Sequence, residues 1–446
     1  MGRFHKAVIA TSFVVFFLAI VPGLILSDEA SMLCSGRAGY HGNWHPPLLQ
    51  YLFAFADWIV AGPLLLFIPT LVTYYVFFYR FVCVLEDRRV RTAAVVVFFA
   101  TPILLSEYFI VVKNVIALSV ALVLYLWLYT RGRERARDRW IACGLSVVAM
   151  MLQHQMFVVL APVFWFLFAA SASKRNKLVA AGAFVGTVLV AQLASAALTD
   201  LEEHPIQQVF IHDVWAIAKA EDKVPLGGTE FDLTSIRSKD ELLALYTPDN
   251  NLGVVWNFDL RDKLITFDNS ARVRRLFELW LVEVSHHPWS YFEHRLATYL
   301  HLVRGYAPVW RLTSDVAYAS TYSCWALDVG RCANARCAAD IGRVDWPGAA
   351  LRIQPLSNAI LDFSNGWMNR FTFNGGLLLL GLVCGIVLVR RYRSRLGAFL
   401  LSTLVLEQVT LFFVAPASNR RYYVLSLAVS LMLAFLTADA ARKKRA

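Results

Sequence analysis

Charge is scarce in this 446-residue chain: Asp, Glu, Lys and Arg make up 17% of it. An ordinary soluble chain carries about a quarter. Hydrophobic residues reach 58% and mean hydropathy is +0.52. A soluble globular protein is excluded, and an integral membrane protein is expected.

Acidic residues are the scarcer sign, 32 against 43 Lys and Arg, which leaves a formal charge of +11. The basic residues occur as short clusters between apolar runs, without the periodic basic or aromatic surface that nucleic-acid binding needs. That is the positive-inside pattern, so the charge sets orientation and favours anionic lipid headgroups. No nucleic-acid partner is expected. An internal repeat is also missing, which argues against a transporter built from inverted halves.

Cysteines number seven. Cys83, Cys143 and Cys384 fall in apolar runs and act as small apolar residues. Cys34, Cys324, Cys332 and Cys337 fall on the outer side, where oxidising conditions permit three pairings. A disulfide within Cys324–Cys337 is expected. No close His pair accompanies these cysteines and their spacing is irregular, so neither a metal site nor a cofactor is expected.

A spanning helix needs about 20 mostly apolar residues. The first run, Ala7–Leu26, is longer than a secretory signal and lacks a small-x-small cleavage site, so it reads as an uncleaved helix. Pro47–Trp58 is amphipathic and suits the interface. Ile59–Val84 spans next, and Arg88, Arg89 and Arg91 mark a cytoplasmic turn. Thr92–Leu105 with Phe109–Tyr129, then Trp140–Leu152 with Phe157–Ala170, form two pairs separated by the basic run Arg131–Arg139. Leu178–Leu198 crosses outward. Phe373–Val389, Leu396–Val414 and Tyr422–Leu436 close the chain before a basic tail.

The resulting fold class is an all-α polytopic membrane protein of about ten transmembrane helices, with both termini cytoplasmic. Its divisions are 1–198, containing the first external loop 27–58, then an external region 199–371, then 372–446. The external region follows the seventh helix and is too long to lack structure of its own. Helical patterns recur at Pro205–Lys219, Lys239–Tyr246, Arg272–Ser285 and Trp289–Val303. The last contains Glu293, His294 and Arg295, and is expected to lie on the surface.

Polar groups collect at the outer boundary. The first external loop holds Asp28-Glu29 and then Trp44-His45-Pro46-Pro47-Leu48. Lys113-Asn114 interrupts an apolar run, and Lys113 must point into a cavity or snorkel. Glu107 and His154 lie in neighbouring outer turns, where irregular backbone is expected to line a cavity. Arg420-Arg421-Tyr422 breaks the positive-inside pattern, by binding a lipid-linked phosphate or by anchoring to headgroups. Glu407-Gln408, inside a span, needs a polar partner such as a nearby arginine.

The Asp-Glu pair, the Pro-Pro-Leu element and the layout of paired helices resemble the GT-C superfamily of membrane glycosyltransferases. The likeness is to protein O-mannosyltransferases, lipid A aminoarabinose transferases and related bacterial membrane proteins. It implies transfer of a sugar from a polyprenyl-phosphate donor to a glycolipid, polysaccharide or protein acceptor outside the inner (plasma) membrane. It also implies Asp28 as general base with Glu29 in support. His45, Lys113, Arg420, Arg421 and Tyr422 would receive the donor phosphate. Glu107 and His154 are secondary candidates. Related proteins carry Lys-Asp where this chain has Lys113-Asn114, so a catalytic carboxylate in this second loop would have to be supplied by Glu107 instead.

Each residue also has a plainer reading. Asp28 and Glu29 could be a solvated helix end, Trp44 to Pro47 a rigid turn, and His154 a structural histidine. A transporter or lipid-glycan flippase would also use cavity-facing charges. An O-antigen-type polymerase would rely on arginines in its large external loop.

Overall fold

The computed structural model describes residues 2–21, 23, 32–33, 35–37, 39, 41–105, 113–131, 136–153, 156–168, 173–249, 251–255, 257–266, 269–304, 351, 353–363, 375–415 and 424–444. These residues are helical apart from turns, connections and a single bridge between Gly42 and Leu201. Among the described residues, five helices are long and apolar enough to cross a membrane: α1 (Arg3–Ile20), α3 (Leu64–Val84), α9 (Lys174–Ala197), α18 (Arg395–Val414) and α19 (Val424–Lys443). Between α1 and α3 lies α2 (Pro47–Ile59), where Pro47 occupies the first turn and loses no helical hydrogen bond. Its Leu49, Phe53 and Ala56 are buried while Phe55, Trp58 and Ile59 are exposed, the two-faced pattern of an interfacial helix.

The chain then passes through α4 (Arg88–Val95), a π turn (Val96–Ala100) and α5 (Pro102–Leu105). Asp87 caps α4 by accepting the N–H groups of Arg89 and Val90, both at 2.9 Å. The continuous helix expected over Thr92–Leu105 is therefore interrupted. Pro102 disfavours the helical conformation for the residue before it, and Thr101 is extended at φ −117°, ψ 146°. Carbonyls loosened by the π turn find side-chain donors. Tyr74 donates to Phe98 O at 2.6 Å, Ser12 donates to Phe99 O, and Thr101 bonds back to Val97 O at 2.6 Å.

Helices α6 (Lys113–Arg131), α7 (Ala136–Leu152) and α8 (Met156–Phe168) precede α9. Residues 199–304 then fold around a separate core. Its helices are α10 (Gln207–Ala220), α11 (Lys239–Ala244), α12 (Leu252–Val255), α13 (Phe258–Leu264), α14 (Ser270–His286) and α15 (Pro288–Arg304). They enclose Trp215, Phe231, Leu242, Leu260 and Leu276. Ser238 and Glu241 form a reciprocal capping box at the start of α11. The four helical patterns expected in this region coincide with α10, α11, α14 and α15.

The stretch Trp289–Val303, expected to lie on the surface, forms α15 with a buried polar side that the sequence did not announce. In α15, Trp289, Phe292, Leu296 and Leu300 are exposed, while His294, Arg295 and Thr298 are buried. Its polar side faces inward because α10 presents a buried carboxylate there. After α16 (Gln354–Phe363), the chain returns through α17 (Gly376–Arg390), α18 and α19. A Cβ at Gly381 would overlap Ser430, so glycine sets the close approach of α17 to α19.

Two ends of the helical bundle are defined by side-chain bonds. At the basic end, His5 meets Thr92 at 2.9 Å, Lys443 meets Glu86 at 2.8 Å, and Asp439 accepts the N–H groups of Glu86 and Asp87. The start of α1, the start of α4 and the end of α19 therefore share one face. The opposite end carries the 41–50 loop, the start of α6 and the 199–304 unit.

Candidate functional site

The 41–50 loop is stitched to the chain that leaves α9. His41 N–H and Nδ1 reach Asp200 Oδ2 at 2.9 and 3.1 Å, and Asp200 N–H donates to His41 O at 2.8 Å. Trp44 N–H donates to Glu203 at 2.8 Å, while Asn43 accepts the N–H groups of Glu203 and His204. A Cβ at Gly42 would collide with the Glu203 carboxylate, which would have to move off Trp44 N–H to make room. Trp44 packs against the core of the 199–304 unit. Gln50 donates to the carbonyls of Gly42 at 2.7 Å and His45 at 3.0 Å.

These bonds fix the backbone on both sides of His45, whose ring is buried. Lys113 Nζ lies 3.2 Å from His45 Nδ1. An ammonium only donates, so Nδ1 accepts and the neutral ring carries its proton on Nε2. Two sequence-predicted phosphate ligands, 68 residues apart, thus stand side by side as N–H donors. Next to Lys113, Asn114 lines a cavity of about 30 Å³ with Gln153, Met156, Glu407, Thr410 and Leu425. That volume is of the order of one water molecule.

The buried Glu407 accepts from Ser426 at 2.6 Å, which supplies a polar partner within the bundle. Ser426 also meets Gln408, which accepts from Tyr299 of α15 at 2.7 Å. A chain of neutral donors thereby connects the 199–304 unit to a carboxyl group inside the bundle.

A second polar cluster, with no motif to announce it, lies where α10, α15 and α18 meet. Arg295 Nη2 is 2.7 Å from Asp213 Oδ2, and Arg295 Nη1 donates to Ala415 O at 3.1 Å. Trp280 donates to Asp213 at 2.9 Å, and His294 Nε2 lies 3.0 Å from Asp213 Oδ1. Tyr246 donates to His294 Nδ1 at 2.6 Å. Burial works to raise the Asp213 carboxyl, but the Arg295 guanidinium, with His294 and Trp280, holds it below the usual range. Burial and the adjacent His294 push His212 down to about 4. Burial also lowers His294. The signal available in sequence was Glu293-His294-Arg295 inside a helix with an apolar face; its partner Asp213 lies 82 residues away.

Of the sequence-predicted site residues, Asp28, Glu29, Glu107, His154, Arg420, Arg421 and Tyr422 lie outside the described residues, as do Cys34, Cys324, Cys332 and Cys337. Cys143 and Cys384 are free thiols. Among the described residues, no group of three His, Cys, Asp or Glu side chains is placed to hold a metal ion. Comparison with protein-family models, with curated proteins and with solved structures finds no match to this chain.

Proposed function

We propose that this chain is a GT-C-type membrane glycosyltransferase that transfers a sugar from a polyprenyl-phosphate donor to an envelope acceptor. The observation that carries the reading is the Lys113–His45 pair, held at the bundle's loop end by a 41–50 loop bonded to residues 200–204. Cationic and neutral N–H donors suit the phosphate that leaves as the sugar is transferred.

In this reading the bundle crosses the inner (plasma) membrane ten times. The segment 88–105 counts as one crossing, and α1, α3, α6, α7, α8, α9, α17, α18 and α19 as the others. The shared face of Arg3, Arg88 and Lys443 is then cytoplasmic, in keeping with the positive-inside rule. Residues 199–371 lie outside with the 41–50 loop. Asp28, with Glu29 beside it, takes the acceptor hydroxyl proton. A bond forms from the acceptor oxygen to the anomeric carbon as the bond to phosphate oxygen breaks. The electron pair leaves on the lipid phosphate, met by Lys113, His45, Arg420, Arg421 and Tyr422.

The buried Glu407–Ser426–Gln408 chain supports a second reading, transport of a lipid-linked glycan or small molecule, because intramembrane carboxyls mark such paths. One comparison separates the two. Membranes holding wild type or Asp28→Asn at equal abundance are supplied with labelled polyprenyl-phosphate sugars. Transfer by wild type, lost in the variant while donor binding survives, is the expected result. Normal transfer by the variant moves the base to Glu29 or Glu107. Wild type that moves donor across vesicles without transferring any tested sugar sinks the enzyme reading.

A further inference from the structure

At the basic end, opposite the candidate site, a cleft of about 730 Å³ opens between the α17–α18 turn and the last turn of α19. Its floor is apolar, formed by Val84, Leu388, Leu436 and Ala440, and its rim carries Arg391, Lys443 and Lys444. The carboxylates present are already engaged. Glu86 is 2.8 Å from Lys443. Asp439 accepts two backbone N–H groups at 2.9 and 2.7 Å and meets Lys443 at 3.3 Å.

Lys443 is therefore matched, while Arg391 and Lys444 are not. Among the described residues, neither has a carboxylate within ion-pair distance. Both instead stand 5.9 Å from the centroid of the same ring, Tyr392. Two cations within reach of one ring at an exposed rim are placed to share a single anion, whose attraction to both outweighs their mutual repulsion. Arg393, left-handed at φ 49°, closes the tight turn that brings Arg391 and Tyr392 back over the cleft.

We propose that this cleft binds an anionic phospholipid, its phosphate between Arg391 and Lys444 and its acyl chain along the apolar floor. Free phosphate would satisfy the rim alone. The floor, continuous with the side walls of membrane helices, selects a ligand that is charged at one end and apolar at the other. Basic pockets between spanning helices at a membrane surface bind such headgroups.

The test uses the full chain in phosphatidylcholine nanodiscs, with phosphatidylglycerol binding followed by native mass spectrometry. Arg391→Gln/Lys444→Gln is compared with Arg88→Gln/Arg89→Gln, which removes the same charge from a neighbouring turn outside the cleft. Both pairs are exposed, and equal unfolding midpoints check that the fold survives. The expected result is retention of phosphatidylglycerol over phosphatidylcholine by wild type and the control. The cleft variant should lose about ten- to thirtyfold in affinity. Unchanged binding by the cleft variant, or an equal loss in the control, overturns the site. Inorganic phosphate that binds the rim without any preference among lipids overturns the lipid assignment.

Discussion

Arg295 and Asp213 form an ion pair at 2.7 Å with side chains only 1% and 0% exposed, at the junction between the 199–304 unit and α18. A buried pair contributes little net stability against an apolar replacement, yet removing one partner strands the other charge. Asp213→Asn and Arg295→Met should each cost about 3–5 kcal/mol. Replacing both residues together should cost much less than the sum, because the two charges leave as a unit. Urea unfolding in a fixed detergent measures the cycle; additive costs would show that the pair is not coupled.

The same cluster makes stability depend on pH. His212 is pushed down to about 4, so between about 6.5 and 4 the unfolded chain binds a proton that the native chain refuses. The contribution is fully present above 6.5 and is lost as pH falls toward 4. A shift of this size corresponds to about 3 kcal/mol for His212, and His294, also lowered, adds in the same direction. Asp213 adds a further loss at lower pH, as its depressed carboxyl becomes protonated. Unfolding midpoints measured from pH 7 to 4 should fall, with a shallower slope in His212→Gln. A flat profile in wild type would refute the buried neutral histidines.

How much of this could be seen in the residues alone depended on the range of each interaction. Helices α10, α11, α14 and α15 were legible because their periodicity and starts are local: Ser238 with Glu241, or Pro288 in a first turn. The inside-out character of α15 was not, since only the distant Asp213 explains why Arg295 faces inward. The π turn was hidden for a similar reason, its carbonyls being satisfied by Ser12 and Tyr74 from other helices. At the site, Lys113 stood out as a cation in an apolar run and His45 as part of an unusual loop. Their contact follows from the pairing of residues 41–44 with 200–204, which no spacing encodes.

Tyr74→Phe tests the π turn. The phenol is fully buried and donates to Phe98 O, so its removal leaves a carbonyl without that donor in an apolar core. The expected cost is about 1–3 kcal/mol. Val82→Ala, a buried truncation elsewhere in α3, provides the comparison for packing loss. Measured by thermal unfolding in detergent, a Tyr74→Phe protein as stable as wild type would mean that another donor takes over.

Lys113 and His45 should act on the donor as one unit. If their N–H groups receive the leaving phosphate, Lys113→Ala removes a charged hydrogen bond that strengthens as negative charge develops. The expected loss in kcat/KM is about ten- to hundredfold, with part of it recovered in Lys113→Arg. His45→Ala should lose less, because it removes a neutral donor. The double variant should fall short of the product of the two losses, since the residues are in contact at 3.2 Å. Steady-state transfer from a soluble short-chain donor checks all four. A Lys113→Ala protein with unchanged kcat/KM would show that this ammonium serves only to hold the 41–50 loop, and the phosphate site would then have to be sought among Arg420, Arg421 and Tyr422.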